Sequence, residues 1–236
     1  MTFRDRLLGT LRALEPVLTE PGVLVVGSEV PNLLEPNASS TLVVSEDVDV
    51  AVQVDRIREV KKRLKELKGY RQSADEPSVW LPTADGLLEI NFLGLDPSTR
   101  DTSDSYVIDD PELPLMVFGL LSLVKAGPPV EVEGLLVPVP RVCGLLLEKL
   151  CTERSGEKGD RDLLVAMALL LLAKPTDLNE LDTSYAGLAP ELRHTVISNL
   201  SILGSLERRL GMPDPGPHRE TVARLQLRLE AMSEAR

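Results

Sequence analysis

Aromatic side chains are scarce in this chain: one Trp, three Tyr and three Phe make up 3% of 236 residues. Stacking platforms for nucleic-acid bases are therefore nearly absent, and Leu and Val must fill the core. Positive charge is also in short supply. The 26 Lys and Arg are outnumbered by 37 Asp and Glu, and a formal net charge of -11 argues against a broad electrostatic grip on RNA or DNA. Only two cysteines occur, Cys143 and Cys151, about two turns apart if they share a helix and so too distant for a disulfide. They read as reduced thiols of a cytoplasmic protein. His194 and His218 stand alone, so no His/Cys cluster has zinc spacing. There is no Walker A sequence and no Gly-x-Gly-x-x-Gly. The longest apolar run, Leu163 to Ala173, is too short to span a bilayer, and Arg4 and Arg6 precede an amphipathic stretch rather than a signal-peptide core. No membrane partner is expected.

What is present is the composition of a globular protein, with 43% hydrophobic and 27% charged residues. The expected organisation is two parts sharing one cleft, residues 1–125 and a mainly helical 126–236. Phe3, Leu7, Leu11, Leu14 and Leu18 recur at helical spacing before Glu20-Pro21-Gly22, and Val23 to Val26 reads as a first strand. A second strand spans Leu42 to Val54. Arg56 to Lys68 predicts a helix with Ile57, Val60, Leu64 and Leu67 on one face and seven basic residues elsewhere, a pattern that favours a solvated face over a phosphate site. Val79–Pro82 and Gly86–Leu93 suggest a hairpin across Thr83-Ala84-Asp85-Gly86. Residues 96–114 read as a surface loop, 115–124 as helix or strand, and 130–140 as an extended segment turning at Glu133-Gly134. Helices are expected from Val142 to Glu153, after a 155–159 loop from Asp160 to Ala173, from Pro190 to Leu210 and from Arg219 to Ser233. In the last, Val222, Leu225, Leu229 and Met232 form a narrow seam that could serve assembly of a helical scaffold.

The residues with chemical promise lie on the second strand. Asp47 and Asp49, at i and i+2, point to one face and can converge on one divalent cation, and the Gly27-Ser28 turn ending the first strand can hold a phosphate. Two-metal nucleotidyl transfer asks for a third carboxylate from a neighbouring strand, where Glu89 and Asn91 share a face. Either could fill the place, Glu89 as an acid and Asn91 as a neutral ligand. Lys149 shares a helical side with Val142, Leu145 and Leu146, so it is either a snorkelling side chain or a phosphate contact. Arg154 and Asp162 could tie two helices together or serve as ligands.

The order apolar strand, Gly27-Ser28, spacer, Ser45-Glu46-Asp47-Val48-Asp49 resembles the signature of the DNA polymerase β-like nucleotidyltransferase superfamily, with 18 residues between Ser28 and Asp47. Within it the chain is most similar to the AbiEii-type branch of abortive-infection and type IV toxin–antitoxin systems. Leu145 to Arg154 followed by Asp160-Arg161-Asp162 resembles that branch's Lys-Leu helix, Arg and basic-Asp pair. The resemblance implies an α/β fold, a small mixed β-sheet nucleotidyltransferase core with a mainly helical C-terminal part. It also implies Mg2+ or Mn2+ on Asp47, Asp49 and Glu89, and an NTP substrate held by Gly27, Ser28 and Lys149, with help from Arg154 and Asp162. Transfer of a nucleoside monophosphate to a hydroxyl of a tRNA, a protein or a small molecule would follow, and an antitoxin is an implied partner. A relative that kept the fold and lost the third acid, as Asn91 suggests, would instead bind a nucleotide or a partner without catalysis.

Overall fold

A capping box starts the first helix: Thr2 Oγ1 accepts from Asp5 N at 3.2 Å and Asp5 Oδ2 accepts from Thr2 N at 2.7 Å. The helix that follows, α1 (Phe3–Leu18), buries Leu7, Leu11, Leu14 and Leu18, the face its periodicity predicts. The computed structural model describes residues 1–99, 101–102, 104–153 and 156–234. In it the chain is mixed α/β, with a mixed sheet and eight α-helices among the described residues. It divides into two compact units, residues 1–30 with 44–140 and residues 31–43 with 141–236.

The first unit holds β1 (Val23–Val25), the start of α2 (Val30–Leu34), β2 (Asp47–Gln53), α3 (Ile57–Leu64), β3 (Tyr70–Gln72), β4 (Val79–Pro82), β5 (Glu89–Leu95), β6 (Ser105–Ile108), β7 (Leu115–Phe118), β8 (Val130–Val132) and β9 (Leu135–Val137). The large sheet runs β1-β2-β5-β4-β3, and β7 joins β5 beyond β4 and carries β6. β2 and β5 are parallel, as are β5 and β7, while the other pairs are antiparallel. β8 and β9 form a separate hairpin. One sheet face is apolar: Val48, Val50, Val52, Ile90 and Phe92 are at most 1% exposed. On that face Thr10 of α1 accepts hydrogen bonds from Leu88 N at 2.8 Å and from Tyr70 Oη at 3.1 Å, pinning the helix to the sheet.

Several elements differ from the sequence expectation. The second strand begins at Asp47, not Leu42, because the backbone of Val43 is bonded at both N and O by the Asn32 side chain, at 2.9 and 2.6 Å, and so is unavailable for a ladder. The segment read as loop contains β6, and the ambiguous 115–124 segment is β7 followed by a 3-10 turn. The basic helix is shorter than expected, ending at Leu64. Its Lys61 pairs with Asp110 and Glu112 and its Arg63 with Glu20 and Glu66, so acidic neighbours take up part of its charge.

The second unit holds α4 (Val142–Cys151), α5 (Gly156–Leu172), α6 (Pro175–Ala186), α7 (Pro190–Ser205) and α8 (Arg219–Glu234). α5 starts at Gly156, so residues 156–159, expected as loop, are its first turn. α4 packs against α5, α6 and α7 and is buried from Cys143 to Cys151. Burial drives the Cys151 thiol up to about 12, which makes it an inert core residue. On α8, Val222, Leu225 and Leu229 are at most 4% exposed, in a unit where the helix packs on α6 and α7. Three of the four seam residues are thus interior to their own unit, while Met232 stays half-buried. Among the described residues no helix is long and apolar enough to cross a membrane.

Thr10→Val leaves the buried Leu88 N–H without its acceptor and removes one partner of Tyr70. The expected loss is about 1–3 kcal/mol, seen as a lower urea midpoint at unchanged slope. A midpoint equal to that of the natural chain would show that this bond does not anchor α1.

Candidate active site

Strand alternation builds the site. On β2, Val48 and Val50 fill the apolar face, which sends Asp47 and Asp49 to the other, and both are half-buried. The parallel register then sets Glu89 beside Asp47 and Asn91 beside Asp49, with Ile90 and Phe92 turned to the core. Four polar side chains thus share one face of two neighbouring strands. Like charges so placed repel: two full charges about 6 Å apart at an effective dielectric of about 20 cost about 3 kcal/mol. The Asn91 amide offsets this, since its Nδ2 donates to Asp47 Oδ2 at 3.0 Å and to Asp49 Oδ1 at 3.3 Å. On its other oxygen Asp47 accepts from the buried Ser45 hydroxyl at 2.5 Å.

A carboxylate that the spacing did not reveal stands beside this group. Glu29 is 1% exposed; its Oε1 accepts from Asp49 N at 3.2 Å, and its Oε2 has no hydrogen-bond partner among the described residues. Burial first, then the charge of Asp49, pushes its carboxyl well above the usual carboxylate range. The only hint in the sequence is a charged residue set between a buried strand and the apolar start of α2.

Gly27 lies against the same group. A Cβ there would lie 2.8 Å from Asp49 Oδ2 and nearer still to Glu29 Oε2, so any side chain there would require both carboxylates to shift. Ser28 is half-buried in the turn closed by Val30 N donating to Gly27 O at 3.3 Å. The structure therefore brings together Gly27, Asp47, Asp49, Glu89 and Asn91, and Ser28 adjoins Gly27. Glu89 is half-buried, and its carboxyl is raised by burial, with Asp47 and Glu76 adding to it.

Lys149 and Asp162 come together in the second unit. Lys149 Nζ lies 3.2 Å from Glu148 Oε2 and 3.6 Å from Asp162 Oδ1, and all three residues are under 9% exposed. The ammonium is thus held among acids rather than snorkelling outward. Arg154 lies outside the described residues.

The donor set suits a hard cation. Mg2+ takes oxygen ligands and is held through one or two carboxylates, with water and substrate phosphates completing the shell. Asp47 and Asp49 are the two carboxylates that could serve such an ion. Among the described residues no group of three or more His, Cys, Asp or Glu is placed to hold a metal by itself.

Glu29 makes stability depend on pH. Its folded pKa lies above the ordinary 4.5, so above pH 4.5 the native state keeps a proton that the unfolded chain releases. Stability from this group falls as pH rises from 4.5 to the raised value. Glu29→Gln is expected to leave the melting temperature near pH 4 almost unchanged and to raise it at pH 8, by about 2–4 °C for each kcal/mol relieved. An equal shift at both pH values would contradict the buried charge. No model of a known protein family matches the chain, and no curated protein matches it either.

Proposed function

We propose that this chain is a Mg2+-dependent nucleotidyltransferase, moving a nucleoside monophosphate from an NTP to an acceptor hydroxyl on a tRNA, a protein or a small molecule, with release of pyrophosphate. The observation that carries the reading is the convergence of Asp47 and Asp49, whose facing oxygens both lie within 3.3 Å of one nitrogen, beside a glycine-bearing turn. In this reading Asp47 and Asp49 hold the metal, with Mn2+ able to replace Mg2+, and the Gly27-Ser28 turn meets the phosphates. A metal held there would supply charge neutralisation at the transferring phosphoryl group.

Glu89 is the group suited to take the acceptor's proton. It neighbours Asp47 on β5, it is partly exposed, and its raised pKa moves it toward the range in which a carboxylate acts as a base near neutral pH. Asn91 cannot do this, since an amide has no basic oxygen at such pH. The acidity of the chain favours a protein or small-molecule acceptor over a nucleic acid.

A second reading is supported by one specific feature: Asn91 occupies the register position beside Asp49 where the resemblance calls for an acid. A nucleotide- or partner-binding module without turnover would carry that residue. Turnover separates the two. The experiment follows pyrophosphate release and labelled NMP transfer with each NTP and Mg2+ or Mn2+. The enzyme reading expects turnover that falls about 100-fold or more in Asp49→Ala and by a similar factor in Glu89→Gln. Nucleotide binding without turnover would favour the module. Turnover indifferent to Asp49→Ala would contradict both readings of this site.

A further inference from the structure

We infer that the Asn91 amide closes the carboxylate pair to a free divalent cation, so that the metal enters only together with the phosphates of its nucleotide, the amide turning over to offer its oxygen. This rests on the reading of Asp47 and Asp49 as a metal-nucleotide site and adds the order of binding to it.

The two hydrogens of the Asn91 amide point to the oxygens of Asp47 and Asp49 that face each other, at 3.0 and 3.3 Å. Those are the lone pairs a cation between the carboxylates would take. Amide hydrogens and cation therefore exclude one another, and a free ion must break two charge-assisted hydrogen bonds as well as shed tightly held water. Two carboxylates give too little in return. Glu29 is turned partly away from this task, since its Oε1 is engaged by the Asp49 backbone N–H. A triphosphate makes up the deficit, since it brings its own oxygen ligands and negative charge. Turning the amide by half a turn about its last torsion, which has two roughly equivalent orientations, sets Oδ1 where Nδ2 was. The side chain that locks the empty pair is then a neutral ligand of the filled one. An aspartate at this position would behave differently: having no hydrogens to donate when ionised, it would leave the pair open and attract the ion.

The test measures Mn2+ affinity by electron paramagnetic resonance for the full chain and for Asn91→Asp and Asn91→Ala, with and without inorganic triphosphate, a probe that needs no base preference. The natural chain is expected to bind Mn2+ alone at least about 30-fold more weakly than Asn91→Asp, and triphosphate to reduce that gap to within about threefold. Asn91→Ala removes the donors without adding charge, and about tenfold tighter binding of free Mn2+ is expected, so the inference stays testable should the Asp variant fail to fold. The Asn91 side-chain amide resonances should move with Mg2+ and triphosphate together and not with Mg2+ alone. Equal affinity of free Mn2+ for the natural chain and the variants would overturn the inference and leave the metal site standing. Absence of Mn2+ binding in every form, with triphosphate present, would overturn both.

Discussion

Two carboxylates on alternate residues of one strand repel each other, and in this chain an amide from the next strand donates to both. Asn91 bonds Asp47 and Asp49 at once, and it can do so only because β5 runs parallel to β2 with Asn91 beside Asp49. A slip of one residue in that register would turn Asn91 into the core and bring Ile90 or Phe92 out. The apolar packing of Val48, Val50, Ile90 and Phe92 against one face thus decides what the other face can do.

The same carboxylates govern the turn that leads into α2. A side chain at Gly27 would meet the carboxylates of Asp49 and Glu29, and the buried Glu29 receives the backbone N–H of Asp49. Three acids and one amide therefore stand together, and burial first, then the charge of Asp49, raises the pKa of Glu29. In the second unit another buried charge is handled in the opposite way, with Lys149 set among Glu148 and Asp162. Removing one member of such a buried pair costs more than the pair contributes, so both acids depend on the lysine.

Periodicity made much of this visible in advance. The apolar spacing of α1, the i and i+2 acids of β2 and the shared face of Glu89 and Asn91 are one-dimensional patterns, and each has its counterpart in the structure. What was hidden depended on contacts distant in sequence. Asn32 ends the extension of β2 by bonding Val43 eleven residues away. β3 and β6 are three and four residues long, too short to show alternation, and exist by pairing with neighbours. Glu29 shows no spacing that separates it from a solvated side chain, and its burial follows from Asp49 reaching it twenty residues later. Lys149 was placed on an apolar helical side, but the acids around it come partly from α5. The seam of α8 has a coiled-coil spacing whether its partner is another chain or α7, and three of its four residues are interior to their own unit.

The claim at the centre is that the paired acids beside Gly27 receive a metal-bound polyphosphate. Paramagnetic broadening by Mn2+ in the presence of ATP tests it by location, residue by residue. The account predicts that the backbone amides of Gly27, Ser28 and Asp49 and the side-chain amide of Asn91 broaden first and at the lowest Mn2+ concentration. Broadening that begins elsewhere, while these resonances stay sharp, would contradict it.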